Sequence, residues 1–166
     1  MPTSADLKDE QTRWLVEILG WDASLGLSIV RPGLPEEAKV HGELAYSRGI
    51  DIRGRLVAPK SHSDKAIRVW LSPSPLRYWA GPEALDEVGQ FNPYDTPKNG
   101  SDFDATILIP EDSLTYAVVS LGSAWRYIHI WTLDPFPRAS IARVSFSQDV
   151  HPNLEPWIRG EASGLF

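Results

Sequence analysis

The chain has 166 residues, no cysteine, 7 tryptophans, 14 prolines and a net charge of −6. That length suits one domain with a core large enough to fold without a metal or a disulfide. The missing thiols exclude disulfides, thiolate metal centres and a cysteine nucleophile, and 22 acidic residues against 16 basic ones, with no Lys/Arg-rich run, argue against a nucleic-acid partner.

In chain order, the first expected element is a helix over 5–19. Ser4 is its N-cap, Asp6 and Asp9 sit in the first turns, and Gly20 is the stop. Leu7, Trp14, Leu15, Ile18 and Leu19 fall on one face of that helix. The segment Met1–Glu10 has neither the basic nor the apolar region of a signal peptide. No apolar run reaches the ~18 residues of a membrane helix. The expected location is therefore cytoplasmic, with no membrane partner.

Alternation follows. Leu25–Val30 is a short apolar run stopped by Arg31-Pro32-Gly33, and 40–46 and 50–57 alternate apolar with polar residues around Arg48-Gly49, which predicts a hairpin. Ile67, Val69 and Leu71 predict another strand, ended by Pro73 and Pro75. Pro82–Val88 reads as a two-turn helix closed by Gly89. The stretch 90–101 holds too many turn formers for a periodic element and is expected to be an irregular loop. A strand over 103–109 precedes a helix over 111–121 with Leu114, Val118 and Leu121 inward. Strands over 125–133 and 141–147 follow, then an irregular tail over 149–166 pinned by Trp157 and Ile158. The list predicts one α+β domain spanning 1–166. Its sheet is mostly antiparallel, curved or closed into a partly open β-barrel of about seven strands, with an N-terminal helix and two short additional helices.

No phosphate loop, dinucleotide fingerprint or nucleophile elbow is present. His41, His62, His129 and His151 never fall at the i, i+4 spacing of a helical zinc pair. Asp95, Asn99, Asp102 and Asp104 surround Gly100, but a calcium loop aligned on that glycine has Pro97 at its third position and Thr106 at its twelfth, where a carboxylate is needed. Asp102 and Asp104 share a strand side as a candidate acid–base pair, although sequence neighbours at a loop–strand junction are more often solvated. No catalytic set, metal or cofactor is expected.

The most informative stretch is Ser123–Leu133. Strand periodicity puts Trp125, Tyr127, His129 and Trp131 on one side and Ile128 and Ile130, as core residues, on the other. Trp70, opposite in parity to Ile67, Val69 and Leu71, would extend that aromatic stripe if the two strands were neighbours. The competing reading seals the rings beneath helices. Three functions follow. The first is a non-catalytic protein-interaction module, such as an inhibitor, immunity-type or accessory protein, binding through the aromatic face with its acidic surface steering toward basic partners. The second is a small-molecule or carbohydrate-binding barrel walled by the same five residues. The third is an enzyme centred on His129, assisted by Asp104 or Asp134. Oligomeric state is not legible.

Overall fold

The computed structural model describes residues 11–29, 44–79, 85–133 and 139–150. Seven strands form a closed barrel: β1 (Gln11–Ile29), β2 (Leu44–Ala58), β3 (Ala66–Ser74), β4 (Gly89–Lys98), β5 (Ser101–Pro110), β6 (Tyr127–Leu133) and β7 (Ala139–Ser147). Around the wall the order is β1-β2-β3-β5-β4-β7-β6, and β6 pairs back onto β1. All neighbours are antiparallel except β3 and β5, which run parallel. The barrel is thus closed rather than partly open, and closure removes both sheet edges along the paired lengths.

The interior is largely apolar. Trp14, Val16, Ile50, Ile52, Leu56, Ile67, Val69, Leu71, Phe91, Phe103, Ile107, Ile128, Ile130 and Ile141 are all buried in one cluster. Trp14 stacks on Phe91 with ring centroids 4.4 Å apart, and Phe103 lies 5.7 Å from Trp14 and 5.4 Å from Phe91. His62, in the short turn of 3-10 helix at Lys60–His62, places its ring 5.4 Å from Trp14 and 5.5 Å from Phe103 at one end of the barrel. At the other end lies the α-helix α1 (Leu114–Ser123), entered through a 3-10 turn at Glu111–Ser113. Its Ala117 and Leu121 are buried in the core, and Leu114 and Val118 pack against it half-buried.

Several sequence expectations are corrected. Residues 11–19, expected at the end of a helix, are strand, and the rest of that expected helix lies outside the described residues. Trp14, Val16, Ile18 and Trp21 all pack on the core, two or three residues apart. A register shift between Ile18 and Gly20 restores the inward parity at Trp21. Leu25–Ile29 continues the same strand. Arg48-Gly49 is no turn, because β2 runs straight through it. The glycine is required instead by packing. The Trp70 ring on β3 lies over Gly49, and a Cβ there would come within 2.7 Å of Trp70 Cη2 and 2.8 Å of the Leu71 carbonyl oxygen.

The expected helix at 82–88 is not helical over its described part, Leu85–Val88. The expected irregular loop at 90–101 is a hairpin. Asn99 and Gly100 take φ of 53° and 79°, the two positive values of a tight primed turn. Pro93 and Pro97 are tolerated within β4 because its pairing to β7 covers only Gly89–Phe91. Of the tail expected over 149–166, Asp149 and Val150 are described, while Trp157 and Ile158 lie outside the described residues.

Candidate functional site

Tyr127, His129, Trp131 and Leu133 are the outward residues of β6, since Ile128, Ile130 and Thr132 are buried inside the barrel. Barrel closure brings two arginines to Trp131 from its flanking strands. Arg13 on β1 and Arg143 on β7 are its cross-strand partners. Their guanidinium carbons lie 5.3 Å and 5.0 Å from the Trp131 ring centroid, within cation–π range. Arg143 reaches this position through a bulge. The register shifts between Trp131 and Thr132, so Ala142 and Arg143 both stay exposed while Ile141 on one side, and Val144 and Phe146 on the other, pack on the core. Burial, and then the like charge of Arg143, hold the Arg13 guanidinium below its ordinary pKa. Arg143 is exposed and has no ion pair among the described residues.

His129 meets Trp131 edge-on, with ring centroids 5.5 Å apart, and is only 8% exposed. Asp104, one of its two candidate carboxylate partners, is on β5, and β4 and β7 stand between that strand and β6. Asp134 lies outside the described residues.

The other two candidate rings are elsewhere. Trp125 precedes β6 and packs on the core at the helix end, stacked on Phe146 at 4.4 Å and edge-on to Tyr116 at 5.8 Å. Trp70 is on β3, which is not a neighbour of β6. The five residues therefore do not wall one cavity, and the barrel interior is occupied by Trp14, Phe91 and Phe103.

The wall formed by β1, β2, β3, β5 and β4 carries a ladder of paired charges that the sequence reading missed. Arg55 bonds Glu17, Arg53 bonds Asp22 at 3.0 Å, and Arg68 grips Asp51 with contacts of 2.6–3.0 Å. Hydrogen bonding to Asp51 raises the Arg68 pKa, and the bond to Glu17 does the same for Arg55. Asp104 accepts from the Tyr94 hydroxyl at 2.6 Å and from Asn92 at 3.3 Å, while Asp102 accepts from the Ala66 backbone N–H at 3.1 Å. Both carboxylates weighed as an acid–base pair thus hold structural partners. The alternation of Asp51, Arg53 and Arg55 along β2 was the available signal for the ladder.

Among the described residues no group of three His, Cys, Asp or Glu side chains could hold a metal ion, and no helix is long and apolar enough to cross a membrane. No protein-family model, curated protein or solved structure matches the chain.

Proposed function

We propose that the chain is a non-catalytic protein-interaction module, of inhibitor, immunity-type or accessory kind, that engages its partner through the Trp131 face of β6. What carries the reading is the placement of Trp131 between Arg13 and Arg143 on the outer wall of a closed barrel. Tryptophan and arginine are the residue types that dominate binding hot spots. Here a rigid wall holds them with little entropy left to lose on docking. Arg143, exposed beside the ring, selects a partner segment that is acidic where it meets the tryptophan. The net charge of −6 acts on approach, but charges beyond about 8 Å are screened at physiological salt, so the local cations decide the contact.

The test is comparative capture from native lysate by the wild-type chain, Trp131→Ala, Arg143→Glu and Arg53→Gln, the last lying on the paired-charge wall. A partner retained by wild type and Arg53→Gln, lost from the other two and weakened as salt rises is the expected result. A partner held equally by all four chains overturns the proposal.

A further inference from the structure

Trp70 sits on the outer wall, because Ile67, Val69 and Leu71 of the same strand are buried inside and its parity is opposite to theirs. It is half-buried, and the position of Gly49 shows how the ring is held. Asp51 is the direct partner of Trp70 on β2, so Gly49 is a diagonal neighbour. A Cβ at Gly49 would fall 2.3 Å from Trp70 Cζ2 and 2.7 Å from Cη2. The far edge of the indole therefore rests on the β2 backbone, and the ring lies along the wall instead of standing off it. A ring laid down in this way has one side against the strands and the other toward solvent.

Polar groups that hold one another surround this platform. Asp51 on β2 and Thr106 on β5 are the lateral neighbours of Trp70, and Arg68 pairs with Asp104 in the adjoining outward row. Arg68 grips both oxygens of Asp51, while Asp104 accepts from Tyr94 and Asn92 on β4. Each carboxylate oxygen has two lone pairs and a guanidinium has five N–H groups, so these bonds leave acceptors and donors over. Two carboxylates against one guanidinium at the platform disfavour an anion. A neutral sugar matches both halves of the arrangement: its ring C–H groups pack on the electron-rich indole face, and its hydroxyls donate to carboxylates and accept from a guanidinium. From Asp51 on β2 to Tyr94 on β4 the strip crosses three strand spacings, about 14 Å, which is longer than one pyranose ring.

We propose that the outer wall of β2, β3, β5 and β4 binds a neutral oligosaccharide, with Trp70 as the stacking platform and Asp51, Arg68, Asp104 and Thr106 as partners for its hydroxyls. The site is separate from the Trp131 face, since β3 is not a neighbour of β6. It explains why this wall carries an indole laid over a glycine among charges that already satisfy each other.

Native affinity electrophoresis of the full chain tests this, through gels holding hydroxyethylcellulose, xyloglucan, galactomannan or glycogen, with heparin as the anionic counter-probe. Wild type and Trp131→Ala should both be slowed by at least one neutral polymer, and added salt should leave the slowing unchanged because the ligand carries no charge to screen. Trp70→Ala should bind that polymer on the order of tenfold more weakly or worse. Thr106→Arg, an exposed change outside the core that sends a guanidinium over the indole, should have the same effect, and it decides the matter if Trp70→Ala does not fold. Wild type slowed by no neutral polymer, or by heparin alone, overturns the proposal, as does slowing that Trp70→Ala and Thr106→Arg both retain. Loss of slowing in Trp131→Ala overturns it too, by moving the site to the other face. No protein partner is present in this assay, so its failure is separate from failure of the capture experiment.

Discussion

Thr132→Val tests how the closed barrel tolerates polar groups in its interior. Thr132 is 1% exposed and faces inward. Its hydroxyl accepts from the Trp14 indole N–H at 2.9 Å and donates to the Thr12 carbonyl at 3.3 Å. Valine has nearly the same shape, so no cavity opens, and the loss is the hydroxyl alone. Leaving a buried donor without the acceptor it had costs about 1–3 kcal/mol. In a domain of this size each kcal/mol moves the midpoint by about 2–4 °C, so a mid-range cost of about 2 kcal/mol predicts a fall of about 4–8 °C. Calorimetry on wild type, Thr132→Val, Trp14→Phe and the double variant separates the contributions. In the Trp14→Phe background the indole donor is gone, so Thr132→Val should cost less than it does alone. A Thr132→Val chain as stable as wild type, or a cost unchanged by Trp14→Phe, refutes the reasoning.

Gly49→Ala should destabilise by about 1–3 kcal/mol, because its Cβ meets both the Trp70 ring and the Leu71 carbonyl oxygen; a urea midpoint equal to wild type would show that the ring yields freely. Gly100→Ala should cost about 1 kcal/mol from backbone conformation alone, since φ is 79° and nothing lies within 4 Å of a Cβ there, and equal midpoints would contradict the tight turn. Tyr94→Phe should lower stability by roughly 1 kcal/mol at neutral pH. The bond to Asp104, followed by desolvation and the Asp104 charge, raises the Tyr94 pKa. That contribution is therefore complete below the unfolded value of about 10 and disappears as pH rises through the higher folded value. The midpoint gap between wild type and Tyr94→Phe should narrow in strong alkali, and a gap that widens would reverse the sign of the argument.

What could be read from sequence was whatever a local period determines. Ile67, Val69 and Leu71, Ile107 and Ile109, and Ile128 and Ile130 alternate cleanly, and all face the interior. The first strand misled because Leu15 is apolar, outward and buried. It fills the gap between Trp14 and Val16, so the run also satisfies a 3.6-residue period. At Arg48-Gly49 and along 90–101, turn-forming residues serve other ends: Gly49 makes room for an indole, and Pro93 and Pro97 sit where β4 lacks a partner on one side. Counting seven strands came out right through offsetting errors: the single strand β2 was read as a two-stranded hairpin, and the strand β4 was read as a loop. The arginines at Trp131 were beyond reach, because they depend on which strands close the barrel, a register that no local pattern encodes.

The outer wall treats its arginines in two ways, and the difference locates the candidate site. On the ladder side Arg55, Arg53 and Arg68 each meet a carboxylate from the neighbouring strand: Glu17, Asp22 and Asp51. Exposed pairs of this kind add little to stability. Their larger effect is on pairing, because a one-residue slip would put these charges on the core face, and with each cation already satisfied that wall offers little to a visiting anion. Around β6 the pattern changes. Arg13 and Arg143 both lie over the Trp131 ring, and Arg143, which meets no carboxylate among the described residues, is held by an indole that attracts a guanidinium but does not neutralise it. On the proposed reading, a carboxylate arriving over Trp131 would meet the exposed Arg143 guanidinium already held in place, and would gain a charge-assisted hydrogen bond without the cost of positioning it. Among the described residues Arg68 has a carboxylate beside it and Arg143 has none, and that contrast is what the proposed contact rests on.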